Sequence, residues 1–164
     1  MPLYMVYAQI LHRIRNEKTN YKKRRGMLMG RHNFISVFIS NQNTQVQILK
    51  PEIAGDKVLA SSHSRYLVDK GWKGSCKNIP AAYLTGYIAG KKALAAGVSN
   101  AILYSGTRSY TQRMAASLKG IIDAGIAVNA DSETFPSQDR IDGKHLTVKN
   151  NVGDFKNIID GDIK

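Results

Sequence analysis

Two short runs give the clearest pattern in the chain. Phe34-Ile-Ser-Val-Phe-Ile-Ser40 is β-branched and aromatic, and Thr44-Gln-Val-Gln-Ile-Leu49 alternates apolar and polar positions with period two. Asn41-Gln42-Asn43 between them is turn chemistry, so the pair predicts a β-hairpin. Val58-Leu-Ala-Ser61, after the Gly55-Asp56 turn, adds a third strand. The pattern is next readable at Pro80, which opens a helix running to Ala96 with Gly97 as its stop. Leu84, Tyr87, Ile88 and Leu94 form its apolar stripe, and Ala81, Ala82, Gly86, Ala89, Gly90 and Ala93 are small enough to let it lie close on a sheet. Ala101-Ile-Leu-Tyr104 reads as a buried strand. A second helix spans Thr111 to Ala124, with Met114, Leu118, Ile121 and Ile122 on one face, and Ile126-Ala-Val128 returns to the sheet.

The order strand, strand, strand, helix, strand, helix predicts an α/β fold with a mixed sheet. It starts with three antiparallel strands followed by helix-strand-helix, a ribonuclease-H-like layout. Segment 64–78, with Gly71-Trp72-Lys73-Gly74 at its centre, carries no assigned element. Val148, Val152, Phe155, Ile158 and Ile159 recur at helical spacing and predict a short tail helix docking on the body, although Gly153 and Gly161 weaken it. The chain therefore divides into a basic arm over 1–31, a mixed α/β domain over 32–146 and a C-terminal tail over 147–164. It contains no internal repeat and no low-complexity tract.

The arm reads differently from the rest. Arg13, Arg15, Lys18, Lys22, Lys23, Arg24, Arg25 and Arg31 lie within twenty residues, with Tyr21 among them. Thr19 or Asn20 is placed to cap a helix ending at Met29, with Gly30 closing it. Like charges three and four positions apart repel, so that helix should order only against a partner or against the body of the domain.

Over the 164 residues, 24 Lys and Arg face 12 Asp and Glu, a formal net charge of +12. Residues 1–31 hold eight of the cations and one acid, residues 32–130 eleven and four, and residues 131–164 five and seven. A charge so polarised points to a protein gripping a polyanion more than to simple solubility. The hydrophobic fraction of 43% supports a real core. Cys76 stands alone, which excludes an internal disulfide and a multi-cysteine zinc site and fits a reduced compartment. No run approaches the roughly 20 apolar residues that span a bilayer. The apolar opening Met1 to Leu11 has its cations behind it, contrary to a secretory signal, so export is not expected; the basic, acid-poor first 31 residues also fit an organelle transit peptide.

Catalytic readings are weak. Gly86-Tyr-Ile-Ala-Gly90-Lys91-Lys92 is one residue short of a phosphate loop and lies inside a helix, so close helix packing explains it better. Gly106-Thr-Arg-Ser-Tyr-Thr111, between a strand and a helix start, offers hydroxyls and Arg108 to an anion; a plain connecting loop fits equally. A two-metal nuclease needs carboxylates clustered on strand ends, and the strands at 34–40, 44–49 and 101–104 carry none. His12, His32, His63 and His145 show no metal-ligand spacing, and Ser61-Ser62-His63-Ser64 is adjacency without triad geometry. Lys77 beside Cys76 would lower its thiol pKa, with nothing else supporting a nucleophile. Trp72, between Lys70 and Lys73, is suited either to stacking on a base or to plugging the edge of the core. Tyr4, Tyr7 and Tyr21 interleave with cations, as base-stacking rings do, or staple the arm to the domain. With no helix-turn-helix, zinc finger or basic zipper, RNA read by shape and backbone is favoured over sequence-specific DNA.

Arg13-Ile-Arg15-Asn-Glu17-Lys18-Thr19-Asn20-Tyr21, followed by Lys23-Arg24, resembles the arginine-rich arm of the universal large-subunit ribosomal protein eighteen family, which binds 5S rRNA. Ala60-Ser-Ser-His63-Ser-Arg65, Gly71-Trp-Lys-Gly74 and Asn78-Ile-Pro80-Ala-Ala-Tyr-Leu-Thr-Gly86 resemble its next blocks. Ala89-Gly-Lys-Lys-Ala-Leu94, Leu118-Lys-Gly-Ile-Ile-Asp-Ala-Gly125 and Asp139-Arg-Ile-Asp-Gly-Lys-His145 continue the series in order, closest to the archaeal form of the archaeal and eukaryotic branch. Tyr104-Ser105-Gly106 departs from the family's Asp-Ile-Gly, and Asn20 stands where the arm usually has an acid.

The resemblance implies a non-catalytic component of the large ribosomal subunit that binds 5S rRNA and helps anchor it in the central protuberance. Its partners would be 5S rRNA, 23S rRNA and neighbouring large-subunit proteins, with no cofactor, no metal and no membrane, in the cytoplasm on the ribosome. The expected RNA contacts are Arg13, Arg15, Lys18, Thr19, Tyr21, Lys22, Lys23, Arg24, Arg25 and Arg31 in the arm, with His63, Arg65, Trp72, Lys73 and Lys77 in the domain. Removing residues 1–25 is expected to weaken binding and flatten its salt dependence while the domain stays folded. A ribonuclease-H-like processing enzyme and a non-specific nucleic-acid-coating protein are the alternatives.

Overall fold

The computed structural model describes residues 10–148 and 150–163. Two short helices, α1 (His12–Arg15) and α2 (Tyr21–Met29), precede a sheet built from β1 (Asn33–Ile39), β2 (Thr44–Lys50), β3 (Lys57–His63), β4 (Asn100–Leu103) and β5 (Ala127–Val128). Between β3 and β4 run α3 (Arg65–Asp69) and α4 (Ile79–Ala95); α5 (Gln112–Asp123) links β4 to β5. A 3-10 turn at Ser132–Thr134, α6 (Gln138–Ile141) and α7 (Val152–Asp162) complete the order.

The sheet order is β3-β2-β1-β4-β5, with the first three strands antiparallel and β4 and β5 parallel to β1. This is the mixed α/β sheet that the sequence pattern predicts. Ser40 builds the hairpin turn: its Oγ accepts from the backbone N–H of Asn43 at 2.9 Å, and its own N–H donates to the Asn43 carbonyl at 2.8 Å. Register sorts the two faces. Ile35 opposite Ile48 and Val37 opposite Val46 point toward the helices and pack with Ala60, Ala89, Leu118 and Ile121 in one buried cluster. The alternate positions Phe34, Ser36 and Phe38 face the other way, and no helix of the body covers that side.

Asn78 caps α4, its Oδ1 accepting from the Ala81 N–H at 2.9 Å, and the Thr111 side chain caps α5. Each cap is worth about 1 kcal/mol. The small residues of α4 do more than bring it to the sheet. A Cβ at Gly86 would strike the Ser117 backbone, one at Gly120 the Tyr83 backbone, and one at Gly90 would lie 2.6 Å from the Ala124 methyl. The glycines are therefore needed by the contact between α4 and α5, where the backbones touch, rather than by the sheet alone.

The predicted tail helix forms. Val152 and Ile159 are buried, and Phe155 meets Trp72 edge-on at 5.2 Å. Lys91 pairs with Asp160 at 2.9 Å and Lys70 with Asp162 at 2.6 Å, so α7 docks on α3 and α4 through charge as well as apolar contact. Of the predicted stripe, Val148 and Ile158 stay exposed. α3 has no counterpart in the sequence reading, because five residues with only Leu67 buried carry too little periodicity to be seen. None of the described helices is long and apolar enough to cross a membrane.

Candidate nucleic-acid interface

The arm folds back on itself before it meets the body. In α1 the Arg13 Nε donates to the Thr19 Oγ1 at 2.9 Å, and the backbone N–H groups of Lys18 and Thr19 return to the Arg13 carbonyl. The turn requires Glu17 at φ 52, the left-handed region. Asn20 then caps α2, accepting from the Lys23 N–H at 2.9 Å.

Arg24 fastens α2 to the sheet. Its guanidinium forms an ion pair with Asp56, just ahead of β3, and lies 5.6 Å from the Phe34 ring centroid and 5.4 Å from that of Tyr104. Those two rings stack on each other at 5.4 Å. The Asp56 hydrogen bond holds the Arg24 pKa above its ordinary value. Lys23 reaches the Ser105 hydroxyl at 3.4 Å. The arm thus orders against the body, one of the two outcomes its charge density left open.

Between arm and body lies a cleft of about 470 Å³ whose walls include Arg13, Lys18, Tyr21, Ser36, Ser105 and Arg108. The loop after β4 forms one side of it, with Gly106 at φ 63 making the bend. Arg108 donates to the Val37 carbonyl at 3.3 Å and places its guanidinium 4.5 Å from the centroid of the half-exposed Phe38 ring. The cleft opens along the helix-free face, where Ser36, Gln47 and Ser61 form one cross-strand row and Phe38, Gln45 and His63 the next. A flat polar surface with one aromatic ring is thereby bordered by cations.

Arg13, Arg15, Lys18, Lys22, Lys23, Arg25 and Arg31 are exposed, and among the described residues none of them forms an ion pair. Their charge is available to an external anion. Tyr21 is partly exposed beside the cleft. His63 is exposed at the far end of the sheet face, its Nδ1 accepting from the Arg65 N–H at 3.1 Å. Lys73 and Lys77 are exposed near the start of α4, away from the arm. Tyr4 and Tyr7 lie outside the described residues.

Three expected contacts are corrected. Trp72 is 4% exposed, wedged against Phe155 with its Nε1 near the Ser75 carbonyl, so its ring is closed to base stacking and plugs the core. Thr19 is 8% exposed and its hydroxyl is spent holding Arg13. Arg24 is committed to Asp56 and the two rings, which makes it a clamp for the arm. Cys76 also departs from expectation: burial pushes its thiol pKa up, outweighing the lowering by its hydrogen bond with Ser64. In the Ser61–Ser64 run, Ser62 and His63 point to opposite faces, and Ser64 Oγ accepts from the Thr44 N–H at 3.0 Å as a structural link. Among the described residues no three His, Cys, Asp or Glu side chains converge on a metal position.

The sequence reading missed Phe38, Gln45 and Gln47. Their signal was present in the period-two alternation of β1 and β2: once Ile35, Val37, Val46 and Ile48 are assigned to the core, the intervening positions must form the other face.

A family model described as "Ribosomal large subunit proteins 60S L5, and 50S L18" matches residues 6–114, a span holding the arm, β1 to β4 and the cleft loop. The large ribosomal subunit protein uL18 of Aeropyrum pernix is 41% identical over 143 residues, covering 85% of this chain and 67% of that one. Its counterpart from Korarchaeum cryptofilum is 42% identical over 142 residues, covering 85% and 73%, and that from Methanococcoides burtonii 37% over 142 residues, covering 85% and 82%. On the match to its arm, sheet and cleft loop, together with these relatives, the chain belongs to this family of large-subunit ribosomal proteins.

Proposed function

We propose that the protein is a structural constituent of the large ribosomal subunit, in the cytoplasm, that binds 5S rRNA and helps anchor it in the central protuberance. The observation that carries the reading is the set of exposed, unpaired arm cations around a cleft that opens onto the helix-free sheet face. The relatives are ribosomal proteins and not enzymes, which supports a role in assembly over one in turnover.

Arg13, Arg15, Lys18, Lys22, Lys23, Arg25 and Arg31 would neutralise phosphates and release condensed counterions. Arg guanidiniums offer a planar fork that matches phosphate oxygens, while Lys supplies point charge. Phe38 under Arg108 and the edge of Tyr21 provide rings for an unstacked base, and Gln45, Gln47, Ser61 and His63 provide donors and acceptors for base edges or 2′-hydroxyls. Arg65, Lys73 and Lys77 extend the cationic surface at the other end of the domain. 23S rRNA and neighbouring large-subunit proteins complete the set of partners.

The test keeps the clamp and removes the free charge. A Lys22→Gln, Lys23→Gln, Arg25→Gln variant should bind 5S rRNA more weakly, and its plot of log affinity against log salt should flatten by about 2 to 3. An unchanged slope would remove the arm from the interface.

A further inference from the structure

The last turn of α7 meets two sites built alike. Tyr66 and Lys70, four positions apart at α3, both reach Asp162: the phenol donates to its Oδ2, and the Lys70 ammonium lies 2.6 Å from the same oxygen. Tyr87 and Lys91, four positions apart on α4, hold Asp160 in the same way, the phenol and the ammonium each 2.9 Å from its Oδ1. That spacing sets two side chains next to each other on a helix. Each pair is a cradle for one anionic oxygen, a hydroxyl donor beside an ammonium.

Positive charge around the cradles exceeds the negative charge that α7 brings. Lys92 lies 6.0 Å from the Tyr66 ring centroid, beside Lys70 at 5.6 Å, and Lys156 lies 5.6 Å from that of Tyr87, beside Lys91 at 5.3 Å. Neither Lys92 nor Lys156 forms an ion pair among the described residues. Lys70 and Lys91 hold the carboxyls of Asp162 and Asp160 below their ordinary value, so both are charged at neutral pH. The paired side chains are about one-third exposed, and ion pairs so close to solvent add little to docking. Burial of Val152 and Ile159 and the contact of Phe155 with Trp72 supply that. What Asp160 and Asp162 change most is the field: they cut the positive charge of this face by half. The face lies on the helix side of the sheet, behind the open side where the arm cleft opens.

We propose that α7 is an acidic strap that shields this face from nucleic acid. Asp160 and Asp162 occupy the two cradles that phosphate oxygens would otherwise enter, which confines nucleic acid to the arm and the open sheet face. The inference rests on the RNA-binding reading above for the class of ligand that is excluded. Its effect is selectivity: a non-cognate polyanion that grips any cationic surface loses one, while a ligand that fits the arm and sheet loses nothing.

Full-length wild type and an Asp160→Asn, Asp162→Asn variant are titrated with labelled 5S rRNA and with a labelled DNA duplex two helical turns long. The variant should bind the duplex about fivefold to tenfold more tightly, with a salt dependence steeper by about 1 to 2, while 5S rRNA affinity changes by less than about twofold. Adding Lys70→Gln and Lys91→Gln should abolish the gain. Glu133→Gln with Asp154→Asn removes the same charge from exposed acids that form no ion pair among the described residues, and should bind the duplex as wild type does. The single variant Asp162→Asn serves if the double one loses its fold or the docking of α7, read by Trp72 fluorescence. Unchanged duplex binding would leave the two carboxylates as docking contacts only and overturn the inference. A gain that survives without Lys70 and Lys91, that the Glu133 and Asp154 control reproduces, or that 5S rRNA shares equally would overturn it as well. If wild type holds 5S rRNA no better than the duplex, while the variant still gains duplex affinity through Lys70 and Lys91, the 5S reading fails and this inference stands.

Discussion

Replacing Arg24 with Ala tests how the arm is held. The side chain is about one-fifth exposed, 19%, as is that of Asp56 at 22%, so their ion pair is neither fully solvated nor fully buried. Truncation removes a charge-assisted hydrogen bond worth about 1.5 to 3 kcal/mol and two cation–ring contacts of about 0.5 to 1 kcal/mol each. It also uncovers Phe34, which is 0% exposed with Arg24 in place. Against these stands the entropy regained as one or two residues of α2 beside Arg24 loosen, about 1 kcal/mol for each. The net expectation is a loss of about 2 to 3 kcal/mol, equivalent to a fall in Tm of about 5 to 10 °C for a chain of this size. Arg24→Lys should recover part of the loss, since it keeps the charge but not the planar stack on Phe34 and Tyr104. A double-mutant cycle with Asp56→Asn isolates the pair, and amide exchange across residues 21–29 reports whether α2 has detached. If Arg24→Ala melts with wild type and keeps its α2 protection while only RNA affinity falls, Arg24 is a phosphate contact and the clamp is wrong.

Gly120→Ala should destabilise the protein by about 3 kcal/mol or more in thermal unfolding, because the new methyl meets the Tyr83 backbone, which has no rotamer to escape through. Trp72→Leu should cost about 2 to 4 kcal/mol through lost contact with Phe155, yet folded protein should bind RNA as wild type does; a specific loss of affinity would restore the stacking role. The docking of α7 should be acid-sensitive. Lys91 and Lys70 hold the carboxyls of Asp160 and Asp162 below the ordinary value of 3.8, so their contribution is complete above that value and is lost as pH falls through the lower folded pKa. Trp72 fluorescence should report undocking only below about pH 4. At the alkaline end, burial and Asp162 push the Tyr66 phenol up to about 12 from 10.0; the folded state favours the protonated ring, so this contribution is complete below pH 10.0 and lost as pH rises through about 12. An ultraviolet titration that finds every tyrosine ionising near 10 would contradict the Tyr66 environment.

Elements that one segment specifies by itself were legible in the sequence. Asn20 and Pro80 declare helix starts, Gly30 and Gly97 declare stops, and the alternation of Thr44 to Leu49 declares a strand, because each signal is a local backbone preference. The partner of a residue was not legible. Arg24 resembles the other arm cations in sequence and differs only because folding brings Asp56, 32 positions on, against it. That clamp also changes the expectation for an arm deletion: removing residues 1–25 would uncover Phe34, so the domain would not be left as it was. Trp72 was balanced between core and interface because α7, which supplies Phe155, lies more than eighty positions away and its docking could not be located from spacing alone. Gly86 and Gly90 read as packing glycines on a sheet, whereas what they pack against is set by the crossing of α4 and α5, where Gly120 meets the Tyr83 backbone.

The most direct measurement is a filter-binding titration of the full chain with labelled 5S rRNA, competed by transfer RNA and by duplex DNA at matched salt. An interface of arm cations on a sheet face that reads unpaired bases and 2′-hydroxyls predicts that 5S rRNA wins by about 10³ or more, the range of specific nucleic-acid readers. Equal competition by all three, fading together as salt rises, would reduce the interface to a general polyanion grip and contradict the assignment of 5S rRNA as its ligand.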